Sequence, residues 1–364
     1  MAHTKRERFE TLAARAGCCA LFAGLFLASL APAQQRRPEE ITVGTGTAGA
    51  LRIVATGDRI EVRDLLEQWR VRHPDIKVTF IHENSLDVYA DVAECSDARP
   101  CPDLAWSSAM DLQIKLVNDG HAQRHDTQAA PFLPEWAVWR NEAYGVTAEP
   151  IVLAYNRTLV PQEDVPRTHA EFAKLLQARP DFYRGKVAAY DPERSGTGYL
   201  FWNSDIQVTP ETWRLVRALG RTGPKLYSFA HTMLDRVSAG DHLFAYNMIS
   251  SYAVARAQVD PSIGIATLDD YALVMTRIAL IPKKAPHPAE ARLFLDFLLS
   301  REGQSELARR GFGAVRLDMT PERARPAGGS RLLPIHVGPE LLTLQDQAKR
   351  RIFFRDWRKA LEAG

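Results

Sequence analysis

Val187-Ala-Ala-Tyr-Asp191-Pro-Glu-Arg-Ser195-Gly-Thr197-Gly198-Tyr-Leu-Phe is a short apolar run, then a loop of hydroxyls and glycines, then a second apolar run. The pattern reads as a strand, a turn and a helix start. Backbone N–H groups in the first turn of a helix lack partners within it and carry the positive end of its dipole. Two hydroxyls, Ser195 and Thr197, beside Gly196 and Gly198 let a small anion approach that backbone closely. The same turn also suits an ordinary helix entry capped by Ser195. The surrounding chain has to decide between the two.

The strand–turn–helix unit recurs on the N-terminal side. Leu51-Arg-Ile-Val-Ala55 reads as a buried strand, and Thr56-Gly-Asp58 as a turn with a helix N-cap. Val62, Leu65, Leu66 and Trp69 then recur at helical spacing, and Pro74 closes the segment. Ile76 to Ile81 alternates as a second strand does. Asp103-Leu-Ala-Trp106 is a third strand, and Ser107-Ser108 caps a helix that carries Leu112, Leu116 and Val117 and ends at Gly120. Farther along, Ala143 to Tyr155 is extended, and Thr168-x-x-Glu171 is a capping box. Phe244 to Ile249 and Leu273 to Ile281 are further strands. Residues 289–309 are predicted as one long amphipathic helix, and the tail from Pro339 as mostly helical. Strands alternating with helices imply an α/β fold of two lobes, each a mixed, largely parallel sheet flanked by helices. In such sheets ligands lie beyond the strand C-termini, where loops lead into helices. Three loops of that kind, rich in small polar residues, predict a cleft lined by helix N-termini. The candidate contacts are Thr56, Asp58, Ser107, Ser108, Ser195, Gly196, Thr197 and Gly198. For Asp58 the choice is between a ligand hydroxyl and its own helix start, and both stay open.

The ends set further bounds. Lys5, Arg6, Arg8 and Arg15 precede an uncharged apolar run from Ala16 to Leu30, and Ala31-Pro32-Ala33 fits a small-x-small cleavage site. Residues 1–33 are therefore expected to be a cleaved signal peptide that exports the chain to the periplasm. The 364-residue chain has 46 Lys+Arg and 44 Asp+Glu. Residues 1–33 hold four of the former and two of the latter, which leaves 42 of each and a mature charge near zero. With no long basic tract, a general nucleic-acid surface is excluded. Cys95 and Cys101 flank a short polar turn, and in an exported chain they read as a disulfide. His121 and His125 follow the helix-ending Gly120, so no helical metal pair is expected there. Neither a Gly-x-Ser-x-Gly elbow nor a Walker-type loop occurs, and no site demands an enzyme or a cofactor. An exported phosphoester hydrolase would need a nucleophile with a base or a metal cluster, and neither is visible.

Three longer segments carry a family resemblance. They are Pro102-Asp-Leu-Ala-Trp-Ser-Ser-Ala, the apolar run Ile151-Val-Leu-Ala-Tyr-Asn156, and Pro286-His-Pro-Ala-Glu-Ala-Arg-Leu-Phe-Leu-Asp-Phe-Leu-Leu-Ser-Arg-Glu-Gly-Gln304. Through them the chain over residues 50–364 resembles the periplasmic solute-binding proteins of ABC importers, in the two-lobed class that includes ferric-iron-binding proteins. The resemblance implies the type II periplasmic-binding-protein fold, with a ligand cleft between the lobes. Iron-binding members hold the metal with two adjacent tyrosines. The matching stretch, Gly240-Asp241 to Tyr252, has Ser250-Ser251 instead, and hydroxyls of serine suit a ferric ion poorly. That alignment adds Asn247 and Ser250 to the candidate contacts, with Tyr246 and Tyr252 as ligands under a shifted alignment. The Ser195–Gly198 loop is more similar to the sugar-phosphate and phosphoglycerate branch.

The resulting expectation is a monomeric receptor for a small anionic solute, working by hinge closure with an inner-membrane ABC permease. The alternatives are a receptor reporting to a membrane sensor kinase and a ferric-iron carrier. Arg194 and Arg277 are further possible phosphate partners. The expected division is a flexible lead-in over 34–49, lobe 1 over 50–148 plus 272–320, lobe 2 over 149–271, and a C-terminal loop and helices over 321–364.

Overall fold

A computed structural model describes residues 39–57, 59–319 and 329–363. The expected signal peptide, residues 34–38 of the lead-in, Asp58 and residues 320–328 lie outside the described residues. The described strands are β1 (Glu39–Val43), β2 (Gly49–Ala55), β3 (Ile76–His82), β4 (Leu104–Ser107), β5 (Val138–Trp139), β6 (Ala143–Gly145), β7 (Glu149–Asn156), β8 (Val187–Tyr190), β9 (Lys225–Tyr227), β10 (Phe244–Ile249), β11 (Ile263–Ala266), β12 (Ala272–Met275), β13 (Ile278–Leu280) and β14 (Leu332–Pro334). The helices are α1 (Arg59–Arg72), α2 (Ser85–Ala93), α3 (Met110–Asn118), α4 (His169–Ala178), α5 (Pro180–Tyr183), α6 (Gly196–Val208), α7 (Thr212–Thr222), α8 (Ala230–Ser238), α9 (Ser250–Val259), α10 (Pro288–Leu299), α11 (Arg301–Arg309) and α12 (Gln347–Glu362).

The strands form two sheets, in the orders β1-β3-β2-β4-β13-β6-β5 and β14-β12-β7-β10-β8-β9, with β11 also on β7. β2 is buried on both faces, as its near-continuous apolar run requires. Ile53 joins Trp69, Phe80, Phe294 and Leu298 in one core. Its neighbour Val54 points to the opposite face, because side chains alternate along a strand. There it joins a core that runs through Ile114 into the second lobe, to Phe172, Trp202, Phe244 and Trp357.

Several expectations need correction. Residues 39–43 are an edge strand rather than flexible lead-in, because Ile41 and Val43 bury against the sheet while β1 pairs antiparallel with β3. The sheets are mixed, as expected, but parallel pairing is not the majority: five described strand pairs are parallel and seven antiparallel. The parallel pairs β3-β2-β4 and β10-β8-β9 are the ones that feed helices. The single strand expected over 273–281 is two. β12 lies in the second sheet and β13 in the first, so the chain crosses between lobes at Thr276-Arg277 and the lobe boundary falls after Met275 rather than at 272. The first crossing is residues 146–148, between β6 and β7.

The long helix over 289–309 breaks at Ser300, which leaves helical geometry at ψ 160° and accepts a bond from Gly303 N–H at 3.1 Å. The C-terminal segment adds a strand, β14, as well as helices. In α12, Trp357 packs on Trp202 with ring centroids 4.7 Å apart. Cys95 and Cys101 are joined in a disulfide that closes the turn after α2.

Candidate functional site

The hydroxyls at the helix starts meet in one cleft of about 430 Å³, its open mouth included, between the two sheets. β2 delivers Thr56 and β4 delivers Ser108 from the first sheet. β8 and its loop deliver Ser195 and Thr197 from the second. Thr56 Oγ1 lies 3.2 Å from Ser108 Oγ and accepts from Ser108 N–H at 3.0 Å. Ser108 Oγ lies 2.9 Å from Thr197 Oγ1, so a chain of three hydroxyls spans the lobes. Ser195 is the N-cap of α6, and its Oγ accepts from Gly198 N–H at 3.1 Å.

Five helices, each of at least nine residues, start at the cleft wall. They are α2 behind Asn84 and Ser85, α3 behind Ser108, α6 at Ser195 and Thr197, α8 at Phe229 and Ala230, and α9 between Ile249 and Tyr252. Neither α8 nor α9 has a side-chain cap, which leaves first-turn N–H groups for a ligand. Converging helix N-termini favour negative charge.

The two glycines do something different from what the sequence suggested. A Cβ on Gly196 would sit 3.0 Å from Leu112 Cδ1 and from Ser85 Oγ, so this glycine lets α6 abut the helices of the other lobe. A Cβ on Gly198 would sit 2.8 Å from Tyr190 Cβ, so the helix start folds tightly on its own strand only without a side chain there. Ser107 is buried behind the wall, and its Oγ accepts from Ala109 N–H at 3.2 Å, a local turn rather than a cleft contact. Ser250 opens α9 buried and outside the cleft lining.

Asn247 is turned away from the cleft. It stands at φ +57° in a bulge of β10. Its Nδ2 donates to Asp205 at 2.9 Å, beside a separate small pocket within the second lobe. The fully buried Asp205 carboxylate also accepts from Tyr246 and Tyr271, each at 3.0 Å. Burial raises its pKa against those bonds, and raises that of Tyr246 too. Tyr246 is therefore committed to this network and is not a cleft ligand. Tyr252 does line the cleft, donating to Thr56 O at 2.8 Å.

Arg277 has no exposed surface. Its Nε donates to Glu149 at 2.9 Å, and its other nitrogens reach Tyr252 at 3.2 Å and Ser251 at 3.3 Å. It holds the crossing strands behind the wall rather than facing the solute. Arg194 is exposed and outside the lining.

Sequence reasoning missed two stretches of the wall. One is His82-Glu83-Asn84-Ser85, between β3 and α2. The other is Ser228 to His231, between β9 and α8. The first had the same signal as the loops it caught, an apolar strand followed by small polar residues. Asn84 Oδ1 accepts from Leu86 and Asp87 N–H as an N-cap does. Glu83 is the one acidic residue among the described lining. Burial, then the neighbouring Asp91, pushes its carboxyl up to about 7. Among the described residues no group of three or more His, Cys, Asp or Glu is placed to hold a metal, and no helix is long and apolar enough to cross a membrane.

Comparison with known proteins fits this geometry. A family model described as bacterial extracellular solute-binding protein matches residues 72–326. The crystal structure of the substrate-binding protein of an ABC transporter from Agrobacterium tumefaciens is 35% identical, covers 89% of this chain and 98% of its own, and superposes with a TM-score of 0.84. AfuA of Actinobacillus pleuropneumoniae, with fructose-6-phosphate bound, is 16% identical over 87% of this chain and 99% of its own, at a TM-score of 0.70. Iron-bound HitA of Pseudomonas aeruginosa is 19% identical over 81% and 98%, at 0.66. The last two share the fold. No curated protein sequence matches the chain. Two mixed sheets with a cleft between their helix starts, and a family match over most of the length, make this chain a member of the bacterial extracellular solute-binding proteins, the family of ABC-transporter substrate-binding proteins.

Proposed function

We propose that this protein captures a small anionic solute, with small organophosphates leading, in the cleft between its sheets and passes it to an inner-membrane ABC permease. It acts as a periplasmic monomer that closes about the crossings at 146–148 and 276–277. The observation that carries the reading is the meeting of Ser108, Ser195 and Thr197 at helix starts of both lobes. Fixed N–H groups and neutral hydroxyls bind an anion without a buried counter-charge. The contacts are Thr56, Ser108, Ser195 and Thr197, with N–H groups of α6, α8 and α9. Against a ferric ion stand Ser250-Ser251 at the place of the iron branch's adjacent tyrosines and the commitment of Tyr246 to Asp205, while Tyr190 and Tyr252 are the two phenols in the cleft lining.

The test is a thermal-shift screen of the mature protein against organophosphates, carboxylates, inorganic anions and ferric citrate, because a tight ligand raises the melting temperature by mass action. An organophosphate should give the largest shift, followed by saturable calorimetric binding. A stoichiometric visible band with ferric citrate, lost in Tyr252→Phe, would replace the reading with an iron carrier.

A further inference from the structure

The charge of the chain is unevenly distributed. α7 has three arginines and no acidic residue, and α12 has six Lys and Arg against Asp356 and Glu362. Beyond residue 33 the chain has 42 basic and 42 acidic residues, so these two helices, with nine and two, leave 33 and 40 elsewhere. A near-neutral protein therefore concentrates positive charge on two helices of its second lobe. No long basic tract announces this in the sequence, because helical spacing sets apolar residues between the cations.

The two helices lie side by side. Trp213 meets Phe353 at 6.1 Å between ring centroids, and a Cβ on Gly220 would run into Leu361 O. The pairs 213–353 and 220–361 advance together, so the helices run parallel. Leu215, Val216 and Leu219 of α7, and Phe353, Trp357 and Ala360 of α12, are buried. Arg214, Arg217 and Arg221 therefore fall on the outward stripe of α7, and Arg351, Arg355 and Lys359 on that of α12, all six exposed. Among the described residues only Arg355 of these six has a carboxylate within ion-pair distance, its neighbour Asp356 at 2.8 Å. Arg214 reaches Gln177 at 3.4 Å. Arg358, next to the stripe, is taken by Glu193 at 2.6 Å.

We propose that this two-helix face docks the protein on an anionic lipid surface. Each row of three cations covers roughly 10–12 Å of helix, at about 1.5 Å per residue. Helix axes in such contact lie about 8–10 Å apart. The cations thus spread over an area instead of converging on a point, which matches a field of headgroup charges rather than one bound anion. Ile352, beside Arg351, is 51% exposed and gives the same face an apolar contact for the headgroup boundary. The family serves membrane transporters, so the chain works next to such a surface. Each cation near an anionic surface changes binding by about fivefold, and the attraction fades within a Debye length of about 10 Å at 0.1 M salt. Neither helix contributes a residue to the cleft lining, so docking leaves the cleft free, and the inference stands apart from the solute reading.

The test is co-sedimentation of the mature protein with phosphatidylcholine vesicles, with and without about a third of phosphatidylglycerol, at about 0.05 M and 0.5 M salt. Two triple variants remove the same charge from different places. One is Arg217→Gln, Arg221→Gln and Arg351→Gln. The other is Arg63→Gln, Lys77→Gln and Lys284→Gln, three exposed cations of the first lobe. None of the six has an ion pair among the described residues, so both variants should melt with the parent, and a melting curve checks this. The parent should bind the phosphatidylglycerol vesicles at low salt, lose them at high salt, and ignore phosphatidylcholine alone. The α7–α12 variant should bind about a hundredfold more weakly, and the first-lobe variant like the parent. Absence of binding to either vesicle overturns the inference. Equal loss in both variants overturns it too, since net charge and not this face would then govern binding. Tighter binding to duplex DNA than to vesicles of equal charge concentration replaces the lipid with a polyanionic macromolecule.

Discussion

Ser195 caps a helix and, under the proposed function, also binds the solute. Its Oγ caps α6 by accepting from Gly198 N–H, and the residue also lines the cleft. The two jobs separate under mutation. Ser195→Ala with Thr197→Ala should cost about 1 kcal/mol of stability through the lost cap. Losing the equivalent of one charge-assisted bond, roughly 1.5–3 kcal/mol, should weaken solute binding by about one to two orders of magnitude, and losing both by more. Thr197→Asp should be worse, because it sets a negative charge where the anion lies. Calorimetric titration beside a melting curve reads both quantities. A lowered melting point with unchanged affinity would leave Ser195 as a cap alone. Glu83 makes a second prediction at this scale. Its folded value of about 7 lies above its ordinary 4.5, so the folded protein binds the extra proton between the two. Its contribution to stability is whole below pH 4.5 and is lost as pH rises through about 7. Glu83→Gln has no such loss, so its melting temperature should gain on the parent's between about pH 5 and pH 8. A constant difference across that range would show that Glu83 titrates normally.

Among the elements, what repeats is a strand whose C-terminal end turns into a helix through small polar residues. The sequence shows this for β2, β4 and β8, and the same grammar in β3 and β9 was overlooked. Phe229 disguised the latter, since a phenylalanine before Ala230 does not look like a helix cap. The crossings between lobes are elements of a different kind. Glu149 opens β7, Arg277 stands between β12 and β13, and both are wholly buried with Nε–Oε1 at 2.9 Å. Thr147 adds to the clamp, its hydroxyl donating to Glu149 at 2.8 Å while accepting from Arg277 N–H at 2.9 Å. This pair fastens the two crossing segments together. Glu149→Ala leaves a guanidinium buried without its partner and should cost about 3–5 kcal/mol in chemical denaturation. A loss under about 1 kcal/mol would mean that water or another carboxylate takes over.

The whole molecule is two sheets joined at these crossings and by the chain between α11 and β14, with hydroxyls touching across the cleft. Contact between Ser108 and Thr197 is what a closed cleft looks like, and a bound anion would come between or beside them. In small-angle scattering, a saturating solute should therefore reduce the radius of gyration of the free protein in solution. Identical curves with and without a solute that calorimetry shows to be bound would argue against hinge closure. The Cys95–Cys101 disulfide closes a loop at one edge of the first lobe. By chain entropy a loop this short contributes roughly 2 kcal/mol. Reductant should lower the melting temperature accordingly without altering solute affinity, because neither cysteine lines the cleft.

Layering, the order of most elements, the disulfide and four of the cleft residues were legible in the sequence, because each depends on neighbours a few positions away. Apolar alternation marks a strand, a hydroxyl before an apolar run marks a helix start, and two cysteines across a turn can meet. The break at Ser300 was hidden by a hydrophobic pattern that runs on through it. The split between β12 and β13 was hidden in the same way, since both are apolar and only sheet membership tells them apart. Tertiary structure alone decided which hydroxyls line the cleft. Ser107 and Ser108 are adjacent with the same chemistry, yet one turns into the protein and the other into the cleft. Asn247 sits in a run that reads as plain strand, and a buried carboxylate 42 positions away draws its side chain out of the site. A carboxylate so deeply buried must collect donors from wherever the fold brings them, and no local pattern records which residues those are.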